Sequence, residues 1–302
     1  MPEPGTDVPD RYPEHLRALA QTLCGVVAAD RSGRKAPRFC RGGTLLEAAL
    51  TLERAASVVI VTGFLVPEAK AAETDGPPGS AVLGRALLRL GKECRIVTDP
   101  FCLGGVEAAS RAIGGPRVES VSSPSEVLQV RPDCLVFVER LGGAKDGRYY
   151  NMRGEDISEW TLPLDRAAGL ARREGVPVIA LGDGGNEAGM GCLNGSLGEL
   201  LPDFLPCLCA VEADFCLPVD VSNWGCYALS ALLSAIRGEW VGHFPEEESA
   251  MLASMALSGA VDGITKKRER TVDGFPEEEN LRVVEAIRKS FEKAQASPSP
   301  FA

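Results

Sequence analysis

Histidine is almost missing from this chain: His15 and His243 are the only two in 302 residues. His15 falls on an amphipathic N-terminal stretch and His243 in a loop, so both read as ordinary surface residues. That scarcity argues against a Ser-His-Asp hydrolase, and no GxSxG elbow is present to carry its nucleophile. It argues equally against a histidine-ligated zinc centre. No CxxC pair occurs among the ten cysteines, which removes the familiar zinc-binding and dithiol spacings. A Walker A sequence is absent too. GDGGNEAGMG (182–191) is glycine-rich but places Glu187 where GxGxxG needs its last glycine, so a dinucleotide reading is weak. No apolar run approaches the roughly 20 residues of a membrane span. The opening MPEPGTDVPDRYPEHL has no apolar signal core. Positive charge is also in deficit. The net charge is −10 and the pI about 5.0, which makes phosphate backbones and anionic lipid poor partners. The basic run KKRER (266–270) reads as a solvated loop on so acidic a chain.

What is present suits an ordinary soluble enzyme. Hydrophobic residues make up 45% and charged residues 25% of the chain, enough to bury a sizeable core without staples. Many cysteines sit in apolar runs, such as Cys134 in DCLVFVE and Cys207, Cys209 and Cys216 in PCLCAVEADFCLP. They read as buried reduced thiols, which points to a reducing compartment and a cytoplasmic protein. No proline-rich linker or internal repeat divides the chain. One domain over 1–302 is expected, with a core over about 13–295 and frayed ends.

Helical patterns alternate with short apolar β-rich runs. Helices are expected over 13–29, 44–56, 79–90, 104–113, 163–174, 195–201, 223–238, 246–258 and 276–294. Capping boxes, Thr44 with Glu47 and Ser123 with Glu126, mark two helix starts. SVVIVTGF, ECRIVTD, a short run at 117–121, DCLVFVER and VPVIALGD read as strands. Such alternation implies right-handed βαβ units. The strands lack in/out alternation, as expected when helices cover both faces. The fold class is therefore α/β: a doubly wound, mostly parallel sheet with helices on both faces and extra terminal helices.

Open α/β sheets bind ligands beyond the carboxyl ends of their strands. Here strands end in Thr62-Gly63-Phe64, Thr98-Asp99, Glu139-Arg140, Gly182-Asp183-Gly184-Gly185-Asn186-Glu187 and Asp220-Val221-Ser222-Asn223-Trp224-Gly225. A further polar turn, 73–79, precedes a helix. Any one of these is explained by a turn needing glycine and an Asp or Asn as helix cap. Their convergence on one edge is harder to explain that way. The chemistry left by the missing histidines is that of carboxylates, amides, hydroxyls and helix N-termini. It suits an amino-acid-like ligand, carboxylate proton transfer or a hard cation.

The stretches VTGF (61–64), ETDGPPG (73–79), TD (98–99), ER (139–140), DGRYYNMRGEDIS (146–158), GDGGNEAGMG (182–191), VSNWGCYAL (221–229), AVDGIT (260–265) and TVDG (271–274) resemble the D-glutamate cyclase family. Characterised members of that family form 5-oxo-D-proline and water from D-glutamate, and they can carry an extra N-terminal domain. The resemblance implies intramolecular attack of an α-amine on a γ-carboxyl group. Such a step needs a base, an acid to expel water and donors for the tetrahedral oxyanion. Asp183 or Glu187, then Glu73 and Asp75, are the candidates for acid/base work. Arg153 is the candidate partner of a substrate carboxylate, with a salt bridge to Glu155 or Asp156 as the plain alternative. Gly63, Asp99, Glu139, Asn186 and Ser222 are expected around the substrate. Backbone N–H groups at Gly184 and Gly185 and the helix start at Asn223 are expected at the oxyanion. Trp224 is expected as a pocket wall. Other readings stay open. One is a magnesium-, manganese- or calcium-dependent hydrolase or lyase using Asp75, Asp99, Asp183, Asn186 and Glu187. A non-catalytic sensor of acidic amino acids and a phosphate-ligand enzyme are the others. The expected partner is a small molecule, D-glutamate or similar, and a homo-oligomer is compatible with the sequence.

Overall fold

A computed structural model describes residues 11–296. The expected frayed ends therefore fall, apart from residues 11, 12 and 296, outside the described residues.

The first strand of the main sheet is β1 (Ser57–Thr62), followed by a small hairpin, β2 (Leu65–Val66) and β3 (Ala71–Ala72). The sheet continues with β4 (Glu93–Thr98), β5 (Val118–Ser120), β6 (Cys134–Val138), β7 (Val178–Gly182) and β8 (Phe215–Pro218). Its spatial order is β5-β4-β1-β6-β7-β8, and every pairing is parallel. Counting the six sheet strands alone, the order is third, second, first, fourth, fifth, sixth. That is the doubly wound Rossmann-type order, and it reverses between β1 and β6. The apolar stretch PCLCAVEADFCLP (206–218) thus ends in the last strand, which the sequence did not separate from its surroundings.

Both sheet faces are apolar, and residues alternate between them. Val58, Ile60, Val136 and Leu181 pack into one layer, while Val59, Val61, Phe137 and Ala180 pack into the other. The helices are shared unequally. The first layer receives α1 (Glu14–Val27), α2 (Gly42–Arg54), α3 (Pro77–Arg89), α4 (Leu103–Ala112), α8 (Ser222–Arg237), α9 (Pro245–Ser258) and α10 (Glu277–Ala296). The second receives α5 (Pro124–Val127) and α6 (Ala167–Arg173). A last helix, α7 (Asn194–Leu200), packs through Leu197 on Leu208 and Ala36. The first and last described helices, α1 and α10, both lie on α8 and close the same layer.

Local expectations mostly hold, with two corrections. Helix α2 starts at Gly42, and its N-cap is Arg41. Thr44 is therefore already inside the helix, and Glu47 instead accepts hydrogen bonds from Arg11 and Tyr12 of the N-terminal segment. His243 is not a surface residue: it is 2% exposed. Its Nε2 lies 3.1 Å from Glu248 Oε2, and the Tyr227 hydroxyl donates to that same oxygen at 2.7 Å. Most of the cysteines are buried, as read, but Cys216, expected to be buried, is not fully so. All are free thiols; Cys192 is exposed, Cys94 and Cys216 are half-buried, and the rest are buried. Among the described residues no helix is long and apolar enough to cross a membrane.

Candidate functional site

The reversal of strand order leaves a crevice beyond the carboxyl ends of β1 and β6, and the chain fills it with acid. The 73–79 turn enters first. Gly76 takes φ +97°, and a side chain there would meet Thr62 Oγ1 at 2.7 Å and Glu139 Cβ at 2.9 Å. Only glycine lets this turn lie against the ends of both strands. The turn is fastened to the start of α8. Asn223 Oδ1 accepts from the N–H groups of Gly76 (3.0 Å) and Gly79 (2.7 Å), and its Nδ2 donates to the Thr74 carbonyl. In return Asp75 accepts the N–H groups of Ser222 and Asn223 at 2.8 and 2.9 Å.

A second wall comes from the turn after β7. Glu187 is buried, and its carboxylate accepts the backbone N–H groups of Asp183, Gly184 and Gly185 at 3.3, 2.9 and 2.8 Å. A loop closed on Glu187 in this way leaves the Asp183 side chain free to point outward. The third wall is the 260–274 segment. Asp262 accepts from Ile264, Thr265 and Gly274 N–H and so shapes it. Thr74 Oγ1 ties it to the first turn through the Thr271 carbonyl at 2.7 Å. This segment delivers Asp273.

The resulting pocket has a volume of about 110 Å³, and Glu73, Glu139, Asp183, Asn186 and Asp273 line it with Arg34, Phe64, Met152 and Arg153 among others. Glu73, Asp75, Glu139 and Asp183 are 7%, 1%, 4% and 1% exposed. Carboxylates so dry and so close resist ionisation. Burial, reinforced by Asp273 and Asp75, pushes Glu73 well above the usual carboxylate range. Burial, then Asp273, pushes Asp75 up to about 8 against the pull of its backbone donors. Glu139 rises through burial and then through Glu187 and Asp75. Asp183 rises through burial although Arg34 opposes it. Glu139 and Asp273 also sit in left-handed backbone, at φ 43° and 52°. Strain of this kind in residues other than glycine tends to mark sites.

One oxygen each of Asp75, Glu139 and Asp183 lies within 4.8 Å of the others. Asp273 Oδ2 and Asn186 Oδ1 are buried without a hydrogen bond among the described residues, whereas Asp183 Oδ2 pairs with Arg34 Nη1. A trio of hard oxygen donors with unsatisfied neighbours fits a divalent cation of the magnesium, manganese or calcium kind.

The family described as D-glutamate cyclase-like, C-terminal, matches residues 23–288. This chain belongs to that family. It is also 35% identical over 215 residues to the mitochondrial D-glutamate cyclase of Homo sapiens, an alignment covering 63% of this chain and 34% of that protein. The chain thus corresponds to about a third of the relative's length. The relative's name places it in mitochondria, so reduced thiols and a missing membrane span do not single out the cytoplasm.

Within this D-glutamate cyclase-like site the structure brings Glu73, Asp75, Glu139, Asp183 and Asn186 together. Ser222 joins them through Glu139, to which its hydroxyl donates at 2.7 Å. Other expected residues serve elsewhere. Glu187 has the right chemistry, but its carboxylate is saturated by the loop it closes. The Gly184 and Gly185 N–H groups, expected at an oxyanion, are the donors in that closure. The N–H groups at the start of α8 are likewise taken by Asp75. Asp99 lies behind the pocket, where it accepts from Phe101 and Cys102 N–H and pairs with Arg140 Nη1 at 2.6 Å. Gly63 gives its carbonyl to the same arginine. Neither Asp99 nor Glu187 is part of the cation trio. Arg153 is half exposed at the rim and paired with Glu68 and Glu155, the plain alternative. Trp224 is not a wall. It is fully buried, lies against Phe275, and donates from Nε1 to Asn280 Oδ1 at 2.9 Å. Trp224→Phe should therefore destabilise the fold by about 1–3 kcal/mol through the orphaned amide, with ligand affinity unchanged. Urea unfolding and a binding titration on the same variant would check both halves.

The sequence reading missed Arg34 and Asp273. Asp273 lies in TVDG, a stretch quoted for its resemblance but assigned no role. Arg34 stands in RSGRK, a polar segment before the first strand that carries no motif.

Proposed function

We infer that this protein is a D-glutamate cyclase-type hydro-lyase that converts D-glutamate to 5-oxo-D-proline and water. The observation that carries the reading is the dry cluster of Glu73, Asp75, Glu139 and Asp183, whose affinities for protons are raised, in a pocket of a D-glutamate cyclase-like chain. A γ-carboxylate is a poor electrophile. It becomes attackable when a neighbouring neutral carboxyl group shares a proton with it, and this cluster can keep one neutral near pH 7. Asp183 takes the first proton from the substrate ammonium. The amine nitrogen bonds to the γ-carbon, and the tetrahedral oxygen is held by a protonated carboxyl, with Glu73, which lines the pocket, as donor. The departing oxygen takes one proton from that acid and one from Asp183, the C–O bond breaks, and water leaves. The nitrogen returns its second proton to the site, so no proton is gained or lost overall. Asp75, Glu139 and Asp183 would hold a divalent cation, which would supply Lewis-acid polarisation of the γ-carboxyl.

The cation trio also supports a second reading, a metal-dependent hydrolase or lyase acting on a small acidic amino-acid-like substrate. Incubation of purified protein with D- and L-glutamate and both 5-oxoproline enantiomers, with and without EDTA, separates the two. Chiral chromatography should show interconversion of D-glutamate and 5-oxo-D-proline only. Binding of D-glutamate without product over hours would sink the enzyme reading and leave a sensor. Loss of all activity on chelation, restored by manganese or magnesium, would assign the trio to a cation.

A further inference from the structure

Arg34 is the largely buried cation of an otherwise acidic pocket. Its side chain is 14% exposed, and its Nη1 and Nη2 pair with two different carboxylates, Asp183 and, at 3.3 Å, Asp273. Burial works against its charge, but Asp183 and Asp273 outweigh that and hold it well above its ordinary value. A guanidinium has five N–H donors, and one contact on each of two nitrogens leaves others available along its planar edge. Arg153, the other arginine on the pocket wall, is engaged at the solvent rim by Glu68 and Glu155.

The segment that delivers Arg34 is built to hold it there. Asp220, at the end of β8, accepts the N–H groups of Ala29 and Arg31 at 2.8 and 2.9 Å. Asp30 closes the turn by accepting the Lys35 N–H at 2.9 Å. Asp30 and Lys35 both adopt left-handed backbone, at φ 60° and 71°, and Gly33 between them does so at 73°. Two strained residues other than glycine within six positions are difficult to explain as a plain surface connection. They are explained if the loop must project one side chain into the pocket.

We propose that Arg34 is the receptor for the substrate's α-carboxylate. The assignment rests on the cyclase reading for the identity of the substrate. Its logic is electrostatic. An amino acid with two carboxylates, entering a pocket of carboxyl groups, is repelled unless one fixed cation receives it. That cation cannot serve the γ-carboxyl, because a guanidinium would hold it as the unreactive carboxylate. The α-carboxylate survives unchanged in the product, so a planar, permanently charged fork can grip it from substrate to lactam.

The test compares 5-oxo-D-proline with 2-pyrrolidinone, the same lactam without its carboxylate, by calorimetric titration. Wild-type protein should prefer the acid by about tenfold or more, the size of a charge-assisted pair. Arg34→Met should bring that ratio close to one, and Arg34→Lys should restore part of it. KM for D-glutamate should rise by a similar factor in Arg34→Met and by less in Arg34→Lys. If Arg34→Met does not fold, the lysine variant carries the test. Added ethylguanidinium should then rescue Arg34→Ala. Cyclisation by wild type with an unchanged ratio and KM in the variants would overturn the arginine assignment alone. Arginine-dependent binding of 5-oxo-D-proline without any cyclisation would overturn the reaction and leave the receptor standing. Wild-type protein that binds neither lactam would overturn both.

Discussion

Asp183→Asn should lower kcat for D-glutamate cyclisation by about 10²- to 10⁴-fold, the usual contribution of a general acid or base, while the melting temperature changes little. The structure removes the main rival explanation of this residue. A helix or turn cap would accept backbone N–H groups, and asparagine would replace it well. Here the N–H groups of residues 183–185 are all taken by Glu187. The Asp183 carboxylate faces the pocket, where its Oδ2 pairs with Arg34 Nη1. The amide is isosteric and Arg34 keeps Asp273, so the fold should survive. Steady-state kinetics alongside a thermal melt would decide. Retention of more than about half of kcat would move proton transfer to Glu73 or Asp75.

Arg140→Met should destabilise the protein by about 3–5 kcal/mol, the cost of breaking a buried ion pair from one side. Arg140 and Asp99 are each 1% exposed and 2.6 Å apart. The same guanidinium donates to the carbonyls of Gly63 and Leu162 at 3.0 and 2.6 Å. Methionine leaves Asp99 as an unpaired buried charge and strands both carbonyls. Arg140→Met with Asp99→Asn should recover part of the loss, because the second change removes the orphaned charge. Chemical denaturation of the single and double variants measures the coupling. A single-variant loss below about 1 kcal/mol would mean that water replaces the arginine.

The sheet was legible because buried parallel strands are continuous apolar runs, and because most end in polar residues. The crevice followed from the same rule, and it located Glu73, Asp75, Glu139 and Asp183 correctly at one edge. What sequence alone could not separate was residues of like chemistry in one loop. Asp183 and Glu187 differ in task only because Glu187 reaches back over the turn to its backbone. Trp224 and Asp99 stand at sheet ends as well, but they point into the protein rather than into the pocket. Arg34 and Asp273 were out of reach for another reason. Their roles arise from contacts across most of the chain length, and neither lies at the end of a sheet strand. The burial of His243 was invisible likewise, since its partners Glu248 and Tyr227 come from two helices.

The placement of Arg34 and Asp273 at opposite ends of the sequence has a consequence for the protein's birth. A nascent chain that has not yet emerged beyond residue 273 has the sheet and most of the acidic groups, but it lacks Asp273. It also lacks α10, whose Glu279 and Asn280 hold Arg31 and Trp224. Non-local contacts of this kind form late because their loop-closure entropy must be met first. The carboxyl cluster therefore stays incomplete until Asp273 is in place and α10 has packed over α1 and α8. A fragment that stops before residue 273 should therefore fold its sheet around a pocket that lacks one wall.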